Sequence, residues 1–206
     1  ATWIEGERSN WMRALQLAAS LGKAGAAHIA AMEAALLHAF NEAHDDGEHR
    51  NAPHWFSDAL YRNNLAKPQA RQLAEKLAIM GRNRSAAGDL PGARGSYERA
   101  GRWYNKAADS NNAVEMTVAM AQSWADEAQQ RLQGPTPSSA VAASSYEKAI
   151  QLLRSVPAKA RTARNIAHRI DVLRQAMNAA GEQAIGEMHI ITTKGPDVRA
   201  HIAEVR

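Results

Sequence analysis

Residues 74–107 read AEKLAIMGRNRSAAGDLPGARGSYERAGRWYNKA, and their spacing decides the fold. Leu77, Met80 and Gly81 lie on one face of a helix. Gly88-Asp89-Leu90-Pro91-Gly92 then forces a turn, because glycine frees φ and proline lacks a backbone donor. Ala93, Tyr97, Ala100, Tyr104 and Ala107 follow at four-three-four-three spacing, the rhythm of an amphipathic helix. Small residues at 81, 93 and 100 suit close helix approach, and an aromatic at 97 fills the space beside them. The stretch predicts an antiparallel helix pair, with Ala93 and Ala100 at the crossings.

Upstream of the turn, Pro68 opens the first helix of the pair, with Leu73 on its face. Beyond the pair, Val114, Val118, Ala121, Ala125, Ala128 and Leu132 continue the rhythm as a narrow apolar seam. Gly134-Pro135-Thr136-Pro137-Ser138-Ser139 reads as a loop. Ala142, Tyr146, Ala149, Ile150 and Leu153 form a further helix closed by Pro157. A last long helix carries Ala163, Ile166, Ile170, Leu173 and Met177, weakened by Gly181 and Gly186, and Gly195-Pro196-Asp197 restarts a helix near the end. Upstream, Thr2-Trp3-Ile4-Glu5 is a capping-box pattern. Helices are expected around Trp11–Leu21, Ile29–Phe40 and Trp55–Tyr61. No segment alternates as a strand does, so the fold class is all-α, in a single domain over residues 1–206.

The 74–107 pattern resembles the tetratricopeptide repeat, a helix–turn–helix that buries its face by stacking on neighbours. Leu77, Met80, Gly81, Gly88, Ala93, Tyr97 and Ala100 stand at the packing positions of that pattern, while Leu77 and Asn105 replace its Trp and terminal Pro. A partial second copy spans 124–157, where Ala142, Tyr146 and Ala149 repeat the spacing of the second helix. Tyr146-Glu147-Lys148-Ala149-Ile150-Gln151-Leu152-Leu153-Arg154, ending near Pro157 and followed by a long helix over 158–190, resembles a poorly characterised bacterial family with an N-terminal helical-repeat domain. These resemblances imply tetratricopeptide-like antiparallel pairs stacked into a short solenoid. They also imply one module of a larger bacterial protein, in a stress or defence setting.

Composition narrows the function. There is no cysteine, so disulfides and thiolate metal sites are excluded, and a reducing, cytoplasmic setting fits. No apolar run approaches the ~20 residues of a membrane span. The chain starts without an initiator Met and ends in a helical pattern, which reads as a piece of a longer protein. Net charge is +4, but residues 67–110 carry nine basic groups against four acidic, and residues 1–66 five against eight.

Three constellations could carry chemistry. Arg82, Arg84, Arg99, Arg102 and Lys106 interleave with Trp103 and Tyr104, as a surface gripping phosphates and stacking bases would; the competing reading is a solvated face with Trp103 at its rim. His44, Asp45, Asp46, Glu48, His49 and His54 offer metal-ligating types, but in a Gly-containing loop that no helix organises, so no metal is expected. Arg161 and His168, seven residues apart on one helix face, resemble the loose Arg-x6-His pattern of small helical ribonucleases; the simpler reading is a basic stripe with Arg164 and Arg169. No phosphate loop, H-E-x-x-H or G-x-S-x-G motif occurs. The expectation is a non-catalytic protein-interaction module without cofactors, binding a protein segment or the rest of its parent chain. A nucleic-acid-binding accessory domain over 82–106 is the alternative, and a ribonuclease-like domain the weaker one.

Overall fold

The computed structural model describes residues 65–134 and 137–204, with single positions 10, 13, 14, 17, 31, 34, 35, 57, 58 and 61 before them; side chains are described as far as residue 186. Among the described residues there are helices and no strand, so the all-α expectation holds. From residue 65 onward, six helices follow one another: α1 (Lys67–Ala86), α2 (Leu90–Lys106), α3 (Ser110–Gln133), α4 (Ser139–Ser155), α5 (Ala158–Ala163) and α6 (Ile166–Glu204). The chain divides into two compact units, Ala1–Met116 and Thr117–Arg206. The expected capping box at Thr2 and the bulk of the three upstream helices lie outside the described residues.

In the first unit, Pro68 stands in the first turn of α1, where its missing N–H costs nothing. Ala70, Leu73, Ala74, Leu77, Ala78 and Gly81 form its buried stripe. Met80 is only half-buried, because Ala74 and Ala78 fill the seam instead. α2 buries Leu90, Ala93, Ser96, Tyr97, Ala100, Trp103 and Tyr104 and packs on α1. Gly81 is required by this contact: a β-carbon there would stand 2.5 Å from Tyr97 Cε1. Ala93 and Ala100 are fully buried, as the spacing predicts.

The corner between α1 and α2 is made twice. Gly88 takes the left-handed conformation (φ 79°), and twenty positions on Ala108 does the same (φ 62°). The amides of Ala87, Gly88 and Asp89 donate to the carbonyls of Asn83, Ser85 and Arg84; those of Ala107, Ala108 and Asp109 donate to Trp103, Asn105 and Tyr104. An aspartate then caps the next helix each time. Asp89 accepts from the Gly92 amide at 3.0 Å, and Asp109 from the Asn112 amide at 3.2 Å. The second corner falls where the 74–107 pattern ends, between the rhythm of Ala93 to Ala107 and its repeat from Val114 to Leu132. Ala108 itself does not mark it, since alanine carries no turn signal and costs ~1–2 kcal/mol in that conformation.

In the second unit, Ala125 and Ala128 of α3 meet Ala142 and Tyr146 of α4 and Ala180 of α6 in one apolar cluster, with Leu132, Leu173 and Met177 against it. α4 ends at Ser155 and Val156-Pro157 follows, as expected. The predicted single helix from 158 to 190 needs correction. α5 stops at Ala163, Asn165 turns left-handed (φ 50°), and α6 begins at Ile166. Asparagine tolerates this conformation through its short polar side chain, so the break needs neither Gly nor Pro. Conversely, α6 runs unbroken past Gly181, Gly186 and Pro196, where the sequence suggested weakening and a restart. Tertiary packing of α6 on α4 offsets helix costs of about 1 kcal/mol per glycine.

Candidate functional site

The basic residues of α2 make the most elaborate polar arrangement among the described residues. Arg99, Arg102, Trp103 and Lys106 fall at i, i+3, i+4 and i+7, which puts them on one stripe of the helix. Facing them are Ser57, Asp58 and Tyr61, 41 to 46 residues earlier in the chain. Trp103 is not a rim residue: it is 1% exposed, and its indole N–H donates to the equally buried Ser57 hydroxyl at 2.7 Å. Burying so large a ring without a partner for that N–H would be costly, so Ser57 is what lets Trp103 enter the core.

Asp58 sits between two guanidiniums. Arg99 donates to it through Nε and Nη2, the latter at 2.7 Å, and Arg102 Nη2 reaches the other carboxylate oxygen at 2.8 Å. These side chains are 22–39% exposed. Fork geometry raises such a pair above the ~0–1 kcal/mol of an ordinary surface ion pair. Tyr61 lies edge-on to Trp103 at 5.3 Å. The Arg102 guanidinium stands 5.2 Å and the Lys106 ammonium 4.2 Å from the Tyr61 ring centroid. Lys106 also donates to the Tyr61 carbonyl.

The other two basic residues singled out from sequence lie elsewhere. Arg84 is half-buried and bonds the Gly92 carbonyl at 3.3 Å, bracing the first corner. Arg82 is exposed and contributes to the field at Tyr104, whose hydroxyl pKa is raised, first by burial and then by Glu75 and Asp109. Arg71 links Glu75 and Asp109 at 3.2 and 3.5 Å. Asp109 is held below the usual carboxylate range by the Asn112 side chain and amide.

The structure therefore joins Arg99, Arg102 and Lys106 in one site and leaves Arg82 and Arg84 outside it. Ser57 and Asp58 were not singled out from sequence, and Tyr61 was read only as helix core. A lone serine and a lone aspartate so far from their partners leave no local signal. Arg161 and His168 do not share one helix: α5 carries the first and α6 the second, with the Asn165 turn between them. The loop from His44 to His54 lies outside the described residues. Among the described residues no cluster of three His, Asp or Glu side chains could hold a metal ion, and no helix is long and apolar enough to cross a membrane. Comparison with protein-family models, with curated proteins and with solved structures finds no match to the chain.

Proposed function

We propose that this chain is a non-catalytic, tetratricopeptide-like helical-repeat module that binds a protein segment through its packed helix pairs. Two features support the repeat reading: the glycine–tyrosine contact between α1 and α2, and the duplicated corner that joins three successive helices. The observation that carries the choice of partner is the engagement of Asp58 by both Arg99 and Arg102. Two of the five cations that would grip phosphate are engaged by one carboxylate of the same chain, which offsets one of their two charges, and Lys106 is bound to Tyr61. A nucleic acid would have to displace these contacts, and the acidic excess of residues 1–66 opposes it.

The two partner classes differ in their response to salt. Phosphate contacts release counterions, so affinity for single strands falls with a logarithmic slope of about −0.7 per contact. A partner that buries apolar surface loses much less. Titration of labelled single-stranded and duplex oligonucleotides at low and physiological ionic strength is expected to give only weak, salt-sensitive binding. Submicromolar binding at physiological salt, abolished by charge reversal at Arg99 and Arg102, would replace this reading with a nucleic-acid one.

A further inference from the structure

The α2 stripe holds Ser57, Asp58 and Tyr61 of the chain itself. Ser57, Asp58 and Tyr61 are each helical, and together they present a hydroxyl, a carboxylate and an aromatic ring. Each meets a dedicated partner: the Trp103 indole, the Arg99–Arg102 pair, and the Arg102–Lys106 cations over the ring. The fit is imperfect in one place. Among the described residues, Arg102 Nε is buried and has no hydrogen-bond acceptor. A buried donor without a partner carries a desolvation cost that nothing offsets. The ion pairs that hold Asp58 are also partly open to water.

We infer that the Arg99–Arg102–Trp103–Lys106 stripe is a recognition surface for an acidic helical peptide of Ser-Asp-x-x-Tyr character, with residues 57–61 as its displaceable occupant in cis. The inference rests on the protein-interaction reading above and names its site and partner. Being tethered, the cis segment competes at a high effective concentration, so a partner in trans binds well only when that segment is weakened or when it supplies the acceptor that Arg102 Nε lacks.

The test uses the full chain and a fluorescein-labelled peptide of residues 53–66. Four hosts are compared: the natural chain, Asp58→Ala with Tyr61→Ala, the milder Asp58→Asn, and the first double variant with Arg99→Ala and Arg102→Ala added. The vacated double variant is expected to bind the peptide on the order of tenfold more tightly than the natural chain, the worth of one charge-assisted pair. Removing Arg99 and Arg102 should abolish that gain, as should a peptide carrying Asp58→Lys. Equal binding to natural and vacated hosts of matching helicity by circular dichroism would overturn the inference. If the double variant unfolds, Asp58→Asn decides in its place. No gain over the natural chain, or loss of its fold as well, would mark residues 57–61 as a fixed structural element and overturn the inference equally. The oligonucleotide titration judges the broader protein-interaction reading on its own, so the two can fail separately.

Discussion

The ring of Tyr97 occupies the space that a β-carbon on Gly81 would need, with Cε1 2.5 Å and Cδ1 2.6 Å from that position. The ring is 5% exposed and has α1 on one side, so it cannot swing away into water. Gly81→Ala is expected to destabilise by about 1–3 kcal/mol through overpacking, even though alanine is the better helix former by about 1 kcal/mol. Urea denaturation in natural and Tyr97→Leu backgrounds checks it. The penalty should shrink in the second; an undiminished penalty there would show that the ring is not the obstacle.

The two corners make a matched pair of opposite substitutions. Ala108 holds φ 62° with a side chain that disfavours it, so Ala108→Gly should stabilise by roughly 1 kcal/mol, less the extra freedom that glycine gives the unfolded chain. Gly88→Ala should destabilise by roughly the same amount. Nothing lies within 4 Å of the added methyl at 88, so the change reports backbone strain alone. Midpoints that moved in the same direction for both would contradict the shared geometry.

Ala93 and Ala100 are both fully buried on the face of α2 that meets α1. Leucine at either site should overpack the crossing and cost about 1–3 kcal/mol. Ala86→Leu, at an exposed position of α1, is the control and should stay within about 0.5 kcal/mol. Thermal midpoints unchanged at 93 and 100 would argue against close helix packing there.

Acid and alkali should act at different corners of the molecule. Asp109 has its folded pKa below its ordinary value of 3.8, through hydrogen bonds from Asn112. Its contribution is therefore present above pH 3.8 and is lost as pH falls from there through the folded value. Tyr104 and Tyr146 are shifted the other way, mainly by burial. Their contribution is intact below pH 10.0 and is lost as pH rises beyond it. Stability measured against pH should decline at both ends, and Asp109→Asn should flatten the acidic limb while acting on the alkaline one only through the smaller part that Asp109 plays at Tyr104. An acidic limb unaltered in that variant would remove Asp109 from the account.

What could be read from sequence follows the range of the forces involved. The α1–α2 pair was legible because Leu77, Gly81, Ala93, Tyr97 and Ala100 declare a seam by spacing alone, and because Gly88 and Pro91 mark the turn in their own chemistry. The break at Ala108 was legible only as the end of the 74–107 pattern, and the break at Asn165 was not legible. Each is a left-handed residue of a type that also occurs within helices, stabilised by amide bonds and, at the first, by an aspartate cap. The candidate site was half legible. Arg99, Arg102 and Lys106 announce a basic stripe, but whether such a stripe faces water, phosphate or a carboxylate depends on Asp58, which tertiary folding brings to it. Trp103 was misjudged for the same reason: its indole N–H is buried only because Ser57 meets it there.

The duplicated corner also bears on the order in which the chain assembles. Every backbone bond and aspartate cap that closes it joins residues no more than five apart, so each reversal can form from its own neighbourhood with little loop entropy to overcome. The contacts of Ser57 and Asp58 with α2 span more than forty residues and must wait for that surface to exist. A helical hairpin that nucleates early and a clasp that closes last imply a reverse sequence on opening. Amide hydrogen exchange should find the corners protected close to the global limit, with the clasp giving way first while α1 and α2 remain joined.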